Sequence, residues 1–334
     1  MRPIAEHGPM DRARFEREIV PKGEPAVFRG LVDDWPPVRA SKDGAEEIAG
    51  MLRFAANDEP FQAWIAPPEV EGRFNYNADY SGFNFERRLA TVDQLLELLL
   101  NERGAEKPRS MYAGGIPIRK HLPELVPNIP VPMLDMTRDT IISLWLGNRT
   151  HTATHWDQSS NLACVVAGRR RLTLFPPDQL KNLYVGPLEF TLAGQPISTV
   201  DIDAPDLGAH PRFAEALNEA RRAELGPGDA IYIPAMWWHD VLSLEDFGCL
   251  INFWWHESEV PQLSPLEALY HSVIALKHLP PNERAAWRAH FDHYVFGEHG
   301  DPAAHLPEQA RGILGARTPD LVERVKKLLI KALS

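Results

Sequence analysis

Side chains that bind metals lie close together in the stretch HTATHWDQSSN, residues 151–161, which contains His151, His155 and Asp157. Histidines four residues apart share one face of a helix, as in zinc proteases, but the glutamate that such a site needs beside its first histidine is Thr152 here. The β-branched residues around them predict a strand instead. Alternate residues of a strand share a face, so we expect His155 and Asp157 to point the same way. At the rise of a strand His151 lies about 13 Å from His155, too far to share a metal with it.

A third ligand for this pair has to come from a distant strand, and His239 is the candidate. It ends the segment GPGDAIYIPAMWWH, in which a Gly-Asp turn precedes an apolar strand. Two histidines and one carboxylate leave positions open on a metal, which suits non-haem Fe(II), whereas a structural zinc site uses four protein ligands. A His-x-Asp pair alone is more often a surface pair or a hydrogen-bonded turn. The order of these three residues on a chain rich in strands favours a metal site.

Short β-branched or aromatic runs, separated by turn residues, follow one another from residue 139 to residue 255. They include TIISLWLG, NLACVVAG, RLTLF, DAIYIP and GCLINFWW. Each is bounded by Gly, Pro or Asp, which is typical of strands in an all-β arrangement. This part of the chain therefore predicts an antiparallel barrel or jelly roll.

The segments on either side of these strands are predicted to be helical. TVDQLLELLLNE, residues 91–102, carries leucines at helical spacing. After His256 the strand pattern ends, and SPLE from Ser264 has the serine, proline and glutamate of a helix start with a capping box. The last predicted helix, 319–333, has an apolar stripe on one face. The stripe consists of Leu321, Val325, Leu328, Leu329 and Ala332.

Composition and charge limit the classes of function. The 334 residues carry a formal net charge of −11, whereas a protein that binds nucleic acid usually presents a basic face. The opening segment has no apolar core of a secretory signal, and no apolar run approaches the roughly eighteen residues of a membrane helix. Cys164 and Cys249 lie in apolar strand-like runs and are expected to be buried, reduced thiols. We therefore expect a cytoplasmic protein without a nucleic-acid or membrane partner.

Two longer stretches resemble a known enzyme family. They are THTATHWDQSSNLACVVAGRRRLTLFPPDQLKNLYVGP and LGPGDAIYIPAMWWHDVLSLEDFGCLINFWW, and EPAVFRGLVDDWP near the start agrees more faintly. They resemble the JmjC-type, cupin-like 2-oxoglutarate oxygenases, in particular the branch with the asparaginyl hydroxylase of hypoxia-inducible factor and its bacterial cupin-like relatives. The resemblance spans most of residues 20–256.

This resemblance implies a fold and a set of site residues. The fold is mainly β with α: a double-stranded β-helix (jelly roll) with N-terminal flanking helices and a C-terminal helical extension. A catalytic domain would occupy residues 1–256, with its jelly-roll core at about 139–256, and the extension 257–334 would serve in dimerisation. The ligands of Fe(II) would be His155, Asp157 and His239. The residues aligned with contacts to 2-oxoglutarate are Tyr112, Thr152, Asn161, Arg170 and Asn252.

Arg170 departs from the family, which usually has a lysine at this position. Alternation along GRRRLTLF puts Arg170 on the same face as Leu172 and Leu174. If the leucines face the core, so does Arg170, and a buried guanidinium needs an anion. Arginine binds a carboxylate in a bidentate fork, so the distal carboxylate of 2-oxoglutarate is the expected partner. The alternative is an ion pair with a carboxylate of the protein.

We expect an Fe(II)- and 2-oxoglutarate-dependent oxygenase that uses O2, most simply a hydroxylase of a protein side chain or a small molecule. One alternative is a cupin-type metal dioxygenase or isomerase that does not use 2-oxoglutarate. Another is a non-catalytic metal-binding module that binds a partner through the helical extension. Related hydroxylases dimerise through C-terminal helices, so the resemblance also implies a homodimer.

Overall fold

The computed structural model of the protein describes residues 1–136, 139–256 and 263–333. The chain divides into two compact units, Met1–His256 and Glu257–Ser334. Short strands separated by turns run through the first unit, because short apolar runs alternate there with turn residues. The described strands are β1 (Arg2–Pro3), β2 (Ala5–His7), β3 (Ala26–Phe28), β4 (Phe61–Ala66), β5 (Glu86–Ala90), β6 (Ser110–Pro117), β7 (Ile141–Gly147), β8 (His151–His155), β9 (Ser160–Ala167), β10 (Arg170–Phe175), β11 (Arg221–Leu225), β12 (Ala230–Ile233), β13 (Trp238–Ser243) and β14 (Gly248–Trp255).

Helices flank the strands in the first unit and make up the second. The described α-helices are α1 (Arg12–Glu18), α2 (Pro36–Asp43), α3 (Ala45–Ala55), α4 (Val92–Asn101), α5 (Ile118–His121), α6 (Phe213–Glu219), α7 (Pro265–Leu276), α8 (Pro281–Tyr294) and α9 (Pro319–Leu333). Short 3-10 helices occupy Val20–Lys22, Pro68–Val70, Pro123–Asn128, Pro177–Asn182, Glu308–Ala310 and Gly312–Leu314.

Two sheets form the jelly roll that the sequence predicts. A five-stranded sheet has the order β1-β11-β10-β13-β8, and a nine-stranded sheet has the order β2-β3-β12-β9-β14-β7-β6-β4-β5. Neighbouring strands are antiparallel throughout the centre of both sheets, and parallel pairing occurs where β1 joins β11 and β2 joins β3. Strands distant in sequence thus become neighbours, which brings β8 beside β13.

Strand β9 shows where the core lies. All its residues are buried, because the nine-stranded sheet is covered on both faces. Leu162, Cys164 and Val166 pack into the core under the N-terminal helices, whereas Ala163 and Val165 pack into the core inside the roll. The inner core holds the two sheets together around the cavity described below.

The N-terminal helices cover the outer face of the nine-stranded sheet. Helix α4 matches the predicted helix at 91–102, and its buried leucines, Leu95, Leu96 and Leu99, belong to the core cluster that also contains residues of α2, α3 and β9. Thr91 begins it with a capping box, in which its side chain accepts from the backbone N–H of Gln94 and the Gln94 side chain accepts in return.

The second unit is helical, as predicted, and its described helices bury none of their residues. Ser264 is the N-cap of α7, but its side chain makes no capping hydrogen bond, so the predicted capping box does not form there. On α9 the apolar residues Leu328, Leu329 and Ile330 are all exposed. None of the helices in the described ranges is both long enough and apolar enough to cross a membrane.

Candidate metal centre and its cavities

The pairing of β13 with β8 sets two histidines side by side. His239 of β13 lies opposite His155, the last residue of β8, and their ring centroids are 4.2 Å apart. Because β8 ends at His155, Asp157 does not continue the strand but lies in the bend that follows. The backbone N–H of Met236 donates to the carbonyl oxygen of Asp157 (2.8 Å) and ties this bend to the turn before β13. The carboxylate is therefore held beside the histidines by tertiary contact, and not by a strand that continues through Asp157.

The three side chains form a cluster with the dimensions of a metal site. One ligand atom from each of His155, Asp157 and His239 lies within 4.8 Å of the others. Nε2 of His239 lies 3.6 Å from Oδ2 of Asp157. This is the single such group of His, Cys, Asp and Glu side chains in the ranges that the structure describes.

Hydrogen bonds hold both imidazoles with the same nitrogen turned toward the cluster. Nδ1 of His155 donates to the carbonyl oxygen of Ala153 (2.9 Å), and Nδ1 of His239 donates to that of Trp237 (3.0 Å). A carbonyl oxygen only accepts, so in the neutral ring Nδ1 carries the hydrogen and Nε2 keeps its lone pair. Partners of this kind fix the tautomer and orientation of metal-binding histidines.

Burial keeps His239 in the form that binds a metal. Burial, and after it the neighbouring His155, lower the pKa of the imidazole to about 4 against the opposing effect of Asp157. His239 is therefore neutral at pH 7. Trp254 Nε1 donates to Oδ2 of Asp157 (3.1 Å) and orients that carboxylate.

His151 lies outside the cluster, as the spacing predicts. Its Nε2 donates to Oδ2 of Asp240 at 2.7 Å, and both side chains are buried. The hydroxyl of Thr154 donates to the same oxygen at 3.3 Å. His151 therefore satisfies a buried carboxylate next to His239 rather than joining the cluster.

All the residues that the resemblance associates with 2-oxoglutarate line one cavity together with the cluster. We call it the inner cavity, and the predicted residues in its wall are Tyr112, Thr152, Asn161, Arg170 and Asn252. Trp145 and Trp254 complete its polar wall. Trp145 Nε1 donates to Oδ1 of Asn252 (2.7 Å), and Nδ2 of Asn252 donates to Oδ1 of Asn161 (3.1 Å). These bonds join β7, β14 and β9 behind the cluster.

The hydroxyl groups of Tyr112 and Thr152 meet in the wall of the inner cavity. The hydroxyl of Thr152 donates to the hydroxyl oxygen of Tyr112 at 3.2 Å. Burial raises the pKa of Tyr112 to about 12, so the phenol remains protonated at neutral pH. Since Tyr112 accepts from Thr152, its own O–H is left to donate elsewhere.

Arg170 is buried, with 4% of its surface exposed, on the same face of β10 as Leu172 and Leu174. The inward orientation predicted from alternation is confirmed. Burial lowers the pKa of its guanidinium, but arginine remains protonated in proteins. Its Nε has no hydrogen-bond partner, and no carboxylate among the described residues pairs with it, so the alternative of a protein ion pair is not found there.

Ser243 lies opposite Arg170 in the register of β10 and β13, and its buried hydroxyl also lacks a partner. A Cβ added to Gly248 would lie 2.8 Å from Oγ of Ser243 and 3.4 Å from Nη2 of Arg170. Glycine at this position therefore leaves room for both polar groups. A buried cation beside a free hydroxyl forms a site for an anionic ligand.

A second cavity, the outer cleft, has a volume of about 310 Å³ and opens next to the cluster. It shares His155, Asp157 and Trp254 with the inner cavity. Its other walls include Trp64, Phe74, Gly114, Leu192 and Gln195. Sequence patterns do not single these residues out, because Phe74, Leu192 and Gln195 lie in irregular segments without a period.

Comparisons with known proteins agree with this fold. The family model described as the cupin-like domain matches residues 12–260. The tRNA wybutosine-synthesizing protein 5 of Homo sapiens is 31% identical over 268 residues, which cover 74% of this chain and 75% of that protein. The protein of the same name in Danio rerio is 27% identical over 300 residues, 82% of this chain and 86% of that protein.

A lysine-specific demethylase of Arabidopsis thaliana is 27% identical over 281 residues, which cover 74% of this chain and 48% of that protein. The chain thus matches about half the length of this relative, but most of the length of the proteins named for wybutosine synthesis.

Removing a side chain of the cluster should abolish metal binding without unfolding the protein. We expect His155→Ala, Asp157→Ala and His239→Ala each to weaken Co²⁺ binding by more than about 100-fold, because even changes behind the ligands cost about 10–100-fold. Titration calorimetry on the full chain measures this effect. His271→Ala, at an exposed position on α7, is the control and should bind like the wild type. If His239→Ala bound Co²⁺ with the affinity of the wild type, His239 would not be a ligand.

His151→Ala should have the opposite profile, losing stability but keeping the metal. Among the residues that the structure describes, the change leaves the buried carboxylate of Asp240 with the Thr154 hydroxyl as its remaining side-chain donor. We expect the free energy of unfolding to fall by about 3–5 kcal/mol, as when one partner of a buried pair is removed. Urea denaturation and Co²⁺ titration measure the two effects separately. Lost Co²⁺ binding at unchanged stability would instead make His151 a ligand.

Proposed function

The chain belongs to the cupin-like domain family, and from that premise we propose that it is an Fe(II)- and 2-oxoglutarate-dependent oxygenase that hydroxylates its substrate. One observation carries the proposal. The inner cavity is lined both by the His155–Asp157–His239 cluster and by the guanidinium of Arg170, a buried cation that no described carboxylate neutralises.

The donor set of the cluster fits Fe(II). His155 and His239 would each supply Nε2 and Asp157 one carboxylate oxygen, a combination that leaves positions open for further ligands. When bound, the iron and 2-oxoglutarate supply the oxidising chemistry, with O2 as oxidant and with carbon dioxide and succinate as products of the co-substrate. The protein orients these groups through the backbone carbonyls behind the histidines and through the indole N–H of Trp254.

The anion-binding part of the cavity fits the distal carboxylate of 2-oxoglutarate. Arg170 would hold it in a charge-assisted, bidentate contact, and the free O–H of Tyr112 would donate a further hydrogen bond. Thr152 orients that phenol. In a metal dioxygenase or isomerase that does not use 2-oxoglutarate, the buried guanidinium of Arg170 would lack an anionic partner. This alternative is therefore disfavoured.

The proposed substrate is a protein side chain or a small molecule, and the proposed location is the cytoplasm. Both Cys164 and Cys249 are free and buried, which fits a reducing compartment. The pKa of each thiol is raised by burial, so neither is a nucleophile in this proposal.

Succinate formation as a function of 2-oxoglutarate concentration tests the proposal. The wild-type protein with Fe(II) and O2 should form succinate, and Arg170→Ala should raise the KM for 2-oxoglutarate by about 100-fold or more. This expectation follows because losing one partner of a buried charge pair costs about 3–5 kcal/mol, and each ~1.4 kcal/mol is a factor of ten. Arg170→Lys should be milder, since it keeps the charge.

Arg171→Ala is the matched control, because Arg171 is the next residue on β10 but pairs with Asp203. It should leave the KM unchanged. An unchanged KM in Arg170→Ala would show that the anion binds elsewhere. No succinate from the wild type under any condition would favour a metal enzyme without 2-oxoglutarate or a non-catalytic module.

We also propose that the protein is a homodimer joined through its C-terminal helices. Helix α9 carries the predicted stripe, on which Leu321 and Val325 are half-buried and Leu328 and Leu329 are exposed. An exposed apolar surface on a helix marks an interaction site, and twofold pairing is the commonest symmetry.

Light scattering on the full chain should therefore give the mass of a dimer, and a version ending at Ala316 should give the mass of a monomer. The double variant Leu328→Glu/Leu329→Glu should dissociate the dimer without truncation. A monomeric full chain would refute the dimer, and a truncated chain that still dimerises would move the interface away from α9.

A further inference from the structure

The outer cleft lies where a substrate group would meet the proposed iron. It shares His155 and Asp157 with the inner cavity, so a group bound in it would lie next to two of the proposed metal ligands. Its volume of about 310 Å³ is that of a site for one side chain or a small group. The chemistry of its walls therefore limits what the protein oxidises.

The outer cleft offers no free charge to a ligand. Asp157 is the one carboxylate among its lining residues, all of which lie in the described ranges, and it is a proposed metal ligand. His151 also lines the cleft but is bonded to Asp240. No Lys, Arg or Glu is present in this wall. A charged group that entered would lose its water without gaining an opposite charge.

Five aromatic side chains line the outer cleft: Trp64, Phe74, Tyr112, Trp145 and Trp254. Phe74 and Tyr112 stack with centroids 5.9 Å apart, and Trp145 meets Trp254 edge to face at 5.5 Å. Gly114 lies against this wall, where a Cβ would approach the ring of Trp145 to 2.7 Å. The strand can thus run close behind the ring. Such a surface binds apolar groups.

Gln195 supplies the cleft with an uncommitted polar group. Its side chain is half-buried and makes no hydrogen bond to another residue in the described parts of the chain. An amide offers both a donor and an acceptor, but no charge. It would select a neutral polar group on an otherwise apolar ligand.

Aromatic side chains next to the apolar cluster that lines the cleft are exposed at the surface. Phe190, which is 37% exposed, stacks on Phe83 with centroids 4.9 Å apart, and it lies two residues before Leu192 of the cleft. Tyr80 is also exposed and packs on Tyr76. This surface suits the residues that flank a side chain in a peptide, which a small metabolite does not have.

The arginines that border the cleft are engaged with the protein itself. Arg73, next to Phe74, pairs with Asp201, and Arg87 donates to the carbonyl oxygen of Leu192 at 2.6 Å. Arg87 also lies over the ring of Phe83. Binding of nucleic acid relies on cations that are available to phosphates. These contacts favour a peptide over an RNA.

We infer that the outer cleft binds an uncharged side chain of a peptide or protein, which has an apolar body and a polar group that bonds to Gln195. This inference rests on the proposed function, since it names the substrate class of the same site. Cationic side chains are disfavoured because the one carboxylate of the cleft, Asp157, is engaged with the proposed metal, and attraction to aromatic faces alone is weaker than the loss of hydration.

Acetylated dodecapeptides with random flanks test the substrate class. Their central residue is fixed as Leu, Phe, Asn, Gln, Lys, Arg or Glu, and tRNA forms a separate sample. Mass spectrometry of reactions with the full-length protein, Fe(II), 2-oxoglutarate and O2 should find added oxygen at neutral central residues at least tenfold more often than at charged ones. Oxidation confined to Lys, Arg or Glu, or to tRNA, would overturn the inference.

Peptide retention on the immobilised full chain, without 2-oxoglutarate or O2, separates this inference from the proposed function. Enrichment of the peptides with uncharged central residues would support the inferred specificity of the outer cleft even if no succinate is ever formed. Succinate formation with no enrichment and no oxidised peptide overturns the inference while the proposed function stands.

A variant with a changed charge at Gln195 tests whether the preference for uncharged central residues arises in the outer cleft. Gln195→Glu adds a carboxylate at nearly constant size and should shift retention from neutral toward Lys and Arg centres by at least tenfold. The control is Gln309→Glu, the same change at an exposed position of the second unit, which should leave the profile unchanged. An unchanged profile in a folded Gln195→Glu protein would overturn the assignment to this cleft.

Discussion

The antiparallel pairing of β13 with both β8 and β10 is the constraint on which the site depends. At one edge β13 pairs with β8, which sets His239 opposite His155. At its other edge β13 pairs with β10, which sets Ser243 opposite Arg170. A slip of one residue would turn every side chain of the strand to the opposite face. The irregularity after His239 is therefore part of the arrangement, since it adjusts the register between His239 and Val241. One strand therefore positions both the proposed metal ligand His239 and the proposed anion pocket beside Arg170.

Burial strengthens the effect of the few charges in the inner cavity on which ligand can bind there. Coulombic attraction is stronger in the protein interior than in water, so the unneutralised guanidinium of Arg170 discriminates strongly between an anion and a neutral group. The same burial keeps the Tyr112 phenol protonated and the His239 imidazole neutral. Holding such a cation without a partner lowers the stability of the fold. The cores on both faces of the nine-stranded sheet offset that cost.

The parts of the site that lie on regular strands are predictable from the sequence. The inward side chain of Arg170 follows from alternation along β10, and the order of His155 and His239 follows from their motifs. Asp157 is only partly predictable, because β8 stops before it and a hydrogen bond from Met236 sets its bend. Gln195 is not predictable, since it reaches the cleft from an irregular segment whose position depends on tertiary packing.

Trp254 belongs to both cavities and also orients Asp157, so the two halves of the site share a wall. A mutation of Trp254 would therefore change the wall of the proposed substrate cleft and the orientation of Asp157 at the same time. Leu192 and Gln195, by contrast, line the outer cleft alone. New substrate ranges can therefore arise by drift in the segment that carries them, while the strands that hold the oxidation chemistry stay unchanged. The jelly roll thus separates a variable loop from the strands of the proposed reaction centre, and Trp145 and Trp254 lie where the two cavities meet.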